Sequence, residues 1–300
     1  MQVTKEVLAV LGTALKTEFM GGIVETQGAD EYKKIAMEVA SNRSGNSYPW
    51  LEEMPQIREW VGDRVVHELA KRGYAIENRH FELTVGVKKI AIEDDDIGIY
   101  KPIVKGFGQQ TAMHPNKMSF GLLDRGHETY CHDGQYMFDT DHPWNEGTVS
   151  NYQTGALPAW YLLDTMQVVK PLIYQNRQPF QFTAVTDGSD SQVFKSGKYY
   201  YGVDGRNNAG FGFWFLAYKS NAELNADNFK AAILQMESWK NDQGDSLGVS
   251  PNLLVVPRVL KFKAKELLGN QRNSDGADNT FFNYMTWMDR PELSNDAPVL

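Results

Sequence analysis

The stretch richest in groups able to do chemistry is Arg125-Gly126-His127-Glu128-Thr129-Tyr130-Cys131-His132-Asp133. Four of the six histidines fall between His114 and His142, and Cys131, the only cysteine, stands among them. Metal-dependent hydrolysis uses imidazole and carboxylate ligands around an activated water, and His127, Glu128, His132 and Asp141 are the candidates. A helical metalloprotease motif places its histidines at i and i+4, on one face. His127 and His132 stand at i and i+5, roughly 140° apart at about 100° per residue. Gly126 and Gly134 also argue against a helix here. A zinc site in loop form, built from His127, Cys131, His132 and Asp141, stays open geometrically. Histidines hydrogen-bonded inside an ordered loop account for the same residues and are favoured.

Two other chemistries fit less well. A Cys131 nucleophile cannot take His132 as its base, because neighbours in an extended chain point to opposite sides. No nucleophile elbow or oxyanion pattern accompanies it. The segment Gly205-Arg206-Asn207-Asn208-Ala209-Gly210-Phe211-Gly212 matches neither the Walker nor the Rossmann glycine spacing, and reads as a turn feeding a strand. The residues therefore assign no catalytic, cofactor-binding or metal site, and no cofactor. The expectation is a non-enzyme; a metal-dependent hydrolase using the His-rich loop 127–142 is the alternative.

Composition narrows the field by exclusion. The 300 residues are 42% hydrophobic and 23% charged, a globular balance for one large domain or two ordinary ones. Thirty basic against thirty-eight acidic residues leave a net charge of −8. No basic field exists to hold nucleic acid by counterion release. One cysteine excludes an intramolecular disulfide framework and fits a reducing compartment. Unbroken apolar runs such as Gly210 to Tyr218 fall short of the about 20 residues of a membrane helix. Met1-Gln2-Val3-Thr4-Lys5 lacks a signal-peptide layout. A soluble, cytoplasm-made protein with no membrane partner is expected.

The elements that must position these groups read as mixed α+β. Thr4 caps a first helix, with Val3 and Leu8 as its staple and Val7, Leu8, Leu11, Leu15 and Phe19 at helical spacing. Gly21-Gly22 is expected to stop it. A short helix from Asp30 carries Ile35 and Val39, and Ser41 to Ser47 reads as a flexible loop or hinge. A helix from Pro55 carries Ile57, Trp60, Val61, Val65 and Leu69, ending at Gly73. Phe81, Leu83, Val85 and Val87 then alternate with polar residues, as in a projecting hairpin returning through Ile90 and Ile92. Glu93 to Asp96 is expected to cap the next helix, which bears Ile99, Ile103, Val104 and Phe107. A second helical stretch runs from Pro115 to Leu123. Residues 126–157 read as loop, and strands follow at 159–163, 172–175, 180–185, 199–203 and 210–218. The last third holds a helix with Phe229, Ile233, Met236 and Trp239 on one face. It also holds a buried strand, Leu253 to Pro257, and a helix from Val259 to Leu268. An arm and a hairpin cannot bury their apolar faces alone, which points to an oligomer as much as to folding back on their own domain.

An ordered set of segments carries a resemblance. It runs through Tyr48-Pro49-Trp50-Leu51, Trp60-Val61-Gly62, Phe81 to Val87, Glu93 to Tyr100, Asp133-Gly134-Gln135, Phe138-Asp139 and Asp141-His142-Pro143. It continues with Trp160 to Asp164, Lys170 to Ile173, Gln175-Asn176-Arg177, Tyr201 to Arg206, Gly210 to Trp214 and Leu253 to Pro257. Over essentially its whole length the chain resembles the major head (capsid) subunits of Mu-like phages, the T-protein family. The resemblance implies the tailed-phage capsid fold, Hong Kong 97-like, with N-arm, E-loop, peripheral and axial domains. It places the N-terminal arm and leading helices at 1–74 and the E-loop at 75–96. The spine helix and peripheral β-rich region fall at 97–220, and the axial-domain-like region at 221–300. The function implied is a major capsid protein that self-assembles into hexamers and pentamers of an icosahedral head around double-stranded DNA, without sequence-specific binding. Trp50 and Trp60 are candidate contacts between subunits, with a role inside the core equally open. Scaffold, protease and portal are implied assembly partners, together with a decoration protein, and the virion is the implied location. A tail-tube or sheath subunit of the same particle is a third reading.

Overall fold

The computed structural model describes residues 3–48, 51, 74–94, 96–144, 147–241, 244–273 and 276–295. The helix expected from Pro55 to Gly73 and the anchors Trp50 and Trp60 lie outside the described residues.

The first helix, α1 (Lys5–Glu25), opens as expected, with the Thr4 hydroxyl accepting from the Val7 N–H at 3.4 Å. It buries Leu8, Leu11, Leu15 and Phe19. It does not stop at Gly21-Gly22, because Gly22 is a packing contact. A Cβ at Gly22 would strike the Lys105 carbonyl, and one at Gly108 would strike the Phe19 carbonyl. Two glycines thus let two backbones touch where any side chain would hold them apart. Among the described residues α1 is the one helix long and apolar enough to cross a membrane, with a mean hydropathy of 1.5. Averaged hydropathy finds it where a search for unbroken apolar runs does not; in the fold its apolar face packs on a neighbouring helix.

The helix expected from Asp30 is a single turn, α2 (Tyr32–Ile35), and Val39 sits in a strand, β1 (Ala36–Ala40). The expected hinge is ordered at its end. β2 (Gly45–Tyr48) pairs antiparallel with β3 (Tyr74–Glu77), and the Ser41 hydroxyl bonds the Arg43 carbonyl and Asn46. β4 (Arg79–Lys88) shows the expected alternation. It does not return through Ile90 and Ile92, which lie in the one-turn α3 (Lys89–Glu93). Its partner is a strand more than a hundred residues later, a ladder that periodicity alone does not reveal.

A 3-10 turn (Asp96–Ile99) leads into α4 (Tyr100–Asp124), which fuses the two expected helical stretches across Pro115. Its N-cap is Ile99, with no side-chain cap, so the acidic run does not cap it. Residues 126–157 hold three short strands, β5 (His142–Trp144), β6 (Gly147–Val149) and β7 (Tyr152–Gln153). After β8 (Trp160–Leu163), the separate runs expected at 172–175 and 180–185 form one strand, β9 (Leu172–Val185). α5 (Ser191–Ser196) links it to β10 (Lys198–Phe211). Gly205 to Phe211, expected as a turn feeding a strand, is strand itself. Pairing with β9 on one side and β4 on the other overrides the local turn preference, and the misfit appears as register shifts between Asp204 and Asn207. β11 (Ala217–Ser220), α6 (Ala226–Glu237), β12 (Leu253–Pro257), α7 (Lys261–Gly269) and β13 (Thr286–Arg290) complete the chain. Asn225 caps α6 by accepting from the Asn228 N–H at 2.9 Å.

These elements form two main sheets. One has the order β1-β9-β10-β4, with β1 parallel to β9 and the rest antiparallel. The other has the order β13-β12-β8-β11-β7. It draws β7, β8 and β11 from before residue 221 and β12 and β13 from after it, so the expected division at 220/221 runs through a continuous sheet. α1 and the first half of α4 cover one face of the four-stranded sheet. There Leu11, Leu15, Phe19 and Val104 pack with Val87, Tyr199, Tyr201 and Val203. The five-stranded sheet lies in a larger core with Phe120, Leu123, Phe229, Ile233, Met236 and Leu268 from α4, α6 and α7.

Candidate functional site

The His-rich loop joins the end of α4 to β5 and β7, and the structure sorts its groups differently from the hydrolase reading. Among the described residues, the three donors brought within 4.8 Å of one another are Cys131, Asp133 and His142. His127, Glu128, His132 and Asp141 are not gathered there. His142 is fully buried, its Nδ1 2.7 Å from one Asp133 oxygen and its Nε2 3.2 Å from Asn151 Oδ1. The Cys131 thiol donates to the other Asp133 oxygen at 3.0 Å, which also accepts the Gln135 N–H at 3.0 Å. Burial would raise the Asp133 carboxyl, but hydrogen bonds from His142, Cys131 and Gln135 outweigh it and hold it at about 2. Burial, reinforced by Asp133, pushes the Cys131 thiol well above its usual range. A thiol so buried and so weakly acidic is no nucleophile.

Asn151 anchors this loop to the five-stranded sheet. Its Nδ2 donates to the carbonyls of Met137, Trp214 and Ala217 at 2.8, 3.2 and 3.2 Å, and its Oδ1 accepts the Asp139 N–H at 3.0 Å. The Trp214 ring stacks on His142, 4.1 Å between centroids and 8° between planes. The remaining histidines have separate surroundings. His127 Nδ1 lies 3.0 Å from the Lys219 ammonium, whose burial lowers it to about 8. His132 packs edge-on to Phe213, and burial takes it down to about 4. His114, on α4, bonds Asn207 at 2.9 Å between the rings of Phe81 and Phe180. Asp141 is exposed, and neighbouring Asp139 raises its carboxyl. The loop is thus mostly a hydrogen-bonded joint. Sequence reasoning missed Asn151 and the pairing of His142 with Asp133; an Asn buried beside a run of histidines carries no spacing signal.

Large apolar side chains face outward elsewhere: Val24 on α1, Met166 and Val168 after β8, Phe194 on α5 and Phe262 on α7, each at least 77% exposed. They are spread over several elements instead of lining one cleft, as single apolar residues on a protein surface ordinarily are.

The structure superposes on a subunit of the bacteriophage JBD30 procapsid with a TM-score of 0.83 and 42% identity, covering 97% of this chain and 100% of that one. On the JBD30 capsid it gives 0.78 and 32%, covering 90% and 94%. The fold is therefore the Hong Kong 97-like capsid fold, as the resemblance implied.

The family model for the Mu-like prophage major head subunit gpT matches residues 8–293. The chain is 36% identical over 294 residues to the Mu-like prophage FluMu major head subunit of Haemophilus influenzae, covering 93% of this chain and 95% of that one. It is 37% identical over 288 residues to the major capsid protein of Escherichia phage Mu, covering 92% and 93%. The chain belongs to the Mu-like major head subunit family. It is a structural protein of the phage head, located in the virion, and not an enzyme; neither a hydrolase nor a tail tube has support from these relatives.

Proposed function

We propose that copies of this chain assemble into the hexamers and pentamers of an icosahedral phage head that encloses double-stranded DNA. The likeness to the JBD30 procapsid subunit over 97% of the chain carries this reading. In it, α1, α4 and the four-stranded sheet form the peripheral domain. The five-stranded sheet with α6 and α7 forms the axial domain. The β2–β3 ladder supports placing the stem of the E-loop there, ahead of β4, because β4 itself is committed to β10. The N-arm then reduces to the chain ahead of β2, with α1 laid back on its own α4. The net charge of −8 suits a wall that encloses DNA without gripping it. Scaffold, protease and portal act during assembly. A decoration protein binds outside, as one JBD30 capsid is decorated with minor capsid protein trimers.

Electron microscopy of the purified protein, alone and co-expressed with scaffold and protease, is expected to show closed shells or capsomers. A strictly monomeric protein under all these conditions sinks the proposal, and helical stacks would redirect it to a tail subunit.

A further inference from the structure

We propose that Cys131, Asp133 and His142 form a structural site for one divalent transition-metal ion, zinc by its donor set, which ties the start of the His-rich loop to β5 at its end. The proposal is independent of how the subunit assembles.

The three donor atoms lie within 4.8 Å of one another, and their residues are 4% exposed at Cys131 and fully buried at His142. Zinc bonds of about 2.0–2.3 Å at tetrahedral angles separate neighbouring donors by about 3.3–3.5 Å. The observed Sγ–Oδ1 and Nδ1–Oδ2 contacts, 3.0 and 2.7 Å, are shorter than that spacing, so the donors must open to admit the ion. Thiolate, imidazole and carboxylate together suit zinc; calcium and magnesium want oxygen ligands throughout.

Outer partners already aim the histidine. The orientation of the Asn151 amide follows from its three carbonyl acceptors and from the Asp139 N–H that it accepts. The atom facing His142 Nε2 is therefore an oxygen, and Nε2 must carry hydrogen. That leaves Nδ1 as the ligating nitrogen, with a carbonyl–histidine–metal relay of the usual kind. Trp214, stacked on the ring, holds its plane.

Charge balance fits the ion: neutral imidazole, thiolate, carboxylate and a divalent charge sum to zero, so the occupied site holds no net buried charge. Beside the site, His132 Nε2 is buried with no hydrogen-bond partner.

The test is titration of the full chain with cobalt(II). Cys131 is the only cysteine, so thiolate-to-cobalt charge-transfer absorption can arise nowhere else. The expected result is a band saturating at one cobalt per chain and displaced by zinc, with release of protons on binding. In Cys131→Ser the band disappears, and in His142→Gln zinc affinity falls at least about tenfold. Absence of saturable binding, cobalt binding without the band, or unchanged zinc affinity in Cys131→Ser overturns the proposal. The wild-type band decides the matter even where a variant fails to fold.

Discussion

The two sheets solve the problem of burial in opposite ways. In the five-stranded sheet β8, β11 and β12 are buried at every residue. That core encloses polar groups as well: Asn151, Asp164, Lys219 and Asn221 are all buried. Each has a partner. The Asp164 carboxylate accepts from the Met166 and Ser250 N–H groups at 3.0 Å each, and Asn221 donates to the Leu157 carbonyl at 2.7 Å. In the four-stranded sheet, β10 alternates between buried and half-buried residues along most of its length, and β9 fades from buried to exposed. One face is covered by two helices pressed together at Gly22 and Gly108. The first region is specified chiefly by hydrogen bonds made in a place without water; the second relies more on shape and alternation, with Gln175 and Asn207 as its own buried, bonded polar groups. Polar satisfaction should therefore dominate the stability of one, and backbone approach that of the other.

The sharpest attack on this contrast is Asn151→Leu. It removes the amide's bonds to three buried carbonyls, of which that of Trp214 keeps the Ala217 N–H, and strands the Asp139 N–H; at about 1–3 kcal/mol per stranded group a loss of about 4 kcal/mol or more is expected. Urea titration measures it; a loss below about 1 kcal/mol would show that the polar network is not what specifies this core. Next in size is Gly108→Ala, expected to cost about 3 kcal/mol as the helices separate. Hydrogen exchange should then rise in α1 and leave β8 and β12 protected; a uniform rise would mean that the two regions are one cooperative unit.

Smaller effects lie in pH profiles. Burial lowers Lys219 to about 8 from 10.5, so between those values the unfolded chain binds the extra proton and stability rises with pH. Lys219→Met removes the buried charge and is expected to be about 1–2 kcal/mol more stable than wild type near pH 7. That advantage should shrink towards pH 10; one independent of pH would rule out the ammonium as its cause. The smallest effect is expected at His114, in the other region, which burial shifts below 6.5. Its contribution is complete above that value and is lost as pH falls, and His114→Gln should flatten this acid limb without moving the urea midpoint at pH 7. A variant that keeps the wild-type acid limb would show that another group titrates there.

Legibility in the sequence follows the same division between local and distant causes. The Thr4 cap and the apolar face of α6 were readable because their partners lie within a turn or two. So was the strand Leu253 to Pro257, whose uninterrupted apolar run signals burial on both faces. Gly22 was misread as a stop because its reason, the Lys105 carbonyl, lies on another helix. Gly205 to Phe211 was misread as a turn leading into a strand because the ladders that hold it begin at Arg79 and Leu172. In the His-rich loop, spacing kept His127 and His132 off one helical face. It could not find His142 against Asp133, since nine residues of irregular chain carry no period.

By itself the sequence determined the element types wherever a repeat of two or 3.6 residues ran undisturbed, and it carried the ordered segments that mark the family. Only the tertiary structure decided which strands share a sheet, which glycines are contacts and which of the loop's donors converge. Periodicity records how one residue lies relative to its near neighbours. Register, close backbone approach and convergence of side chains depend on groups that can lie more than a hundred residues apart, whose meeting is settled by packing and by the need to satisfy every buried polar atom.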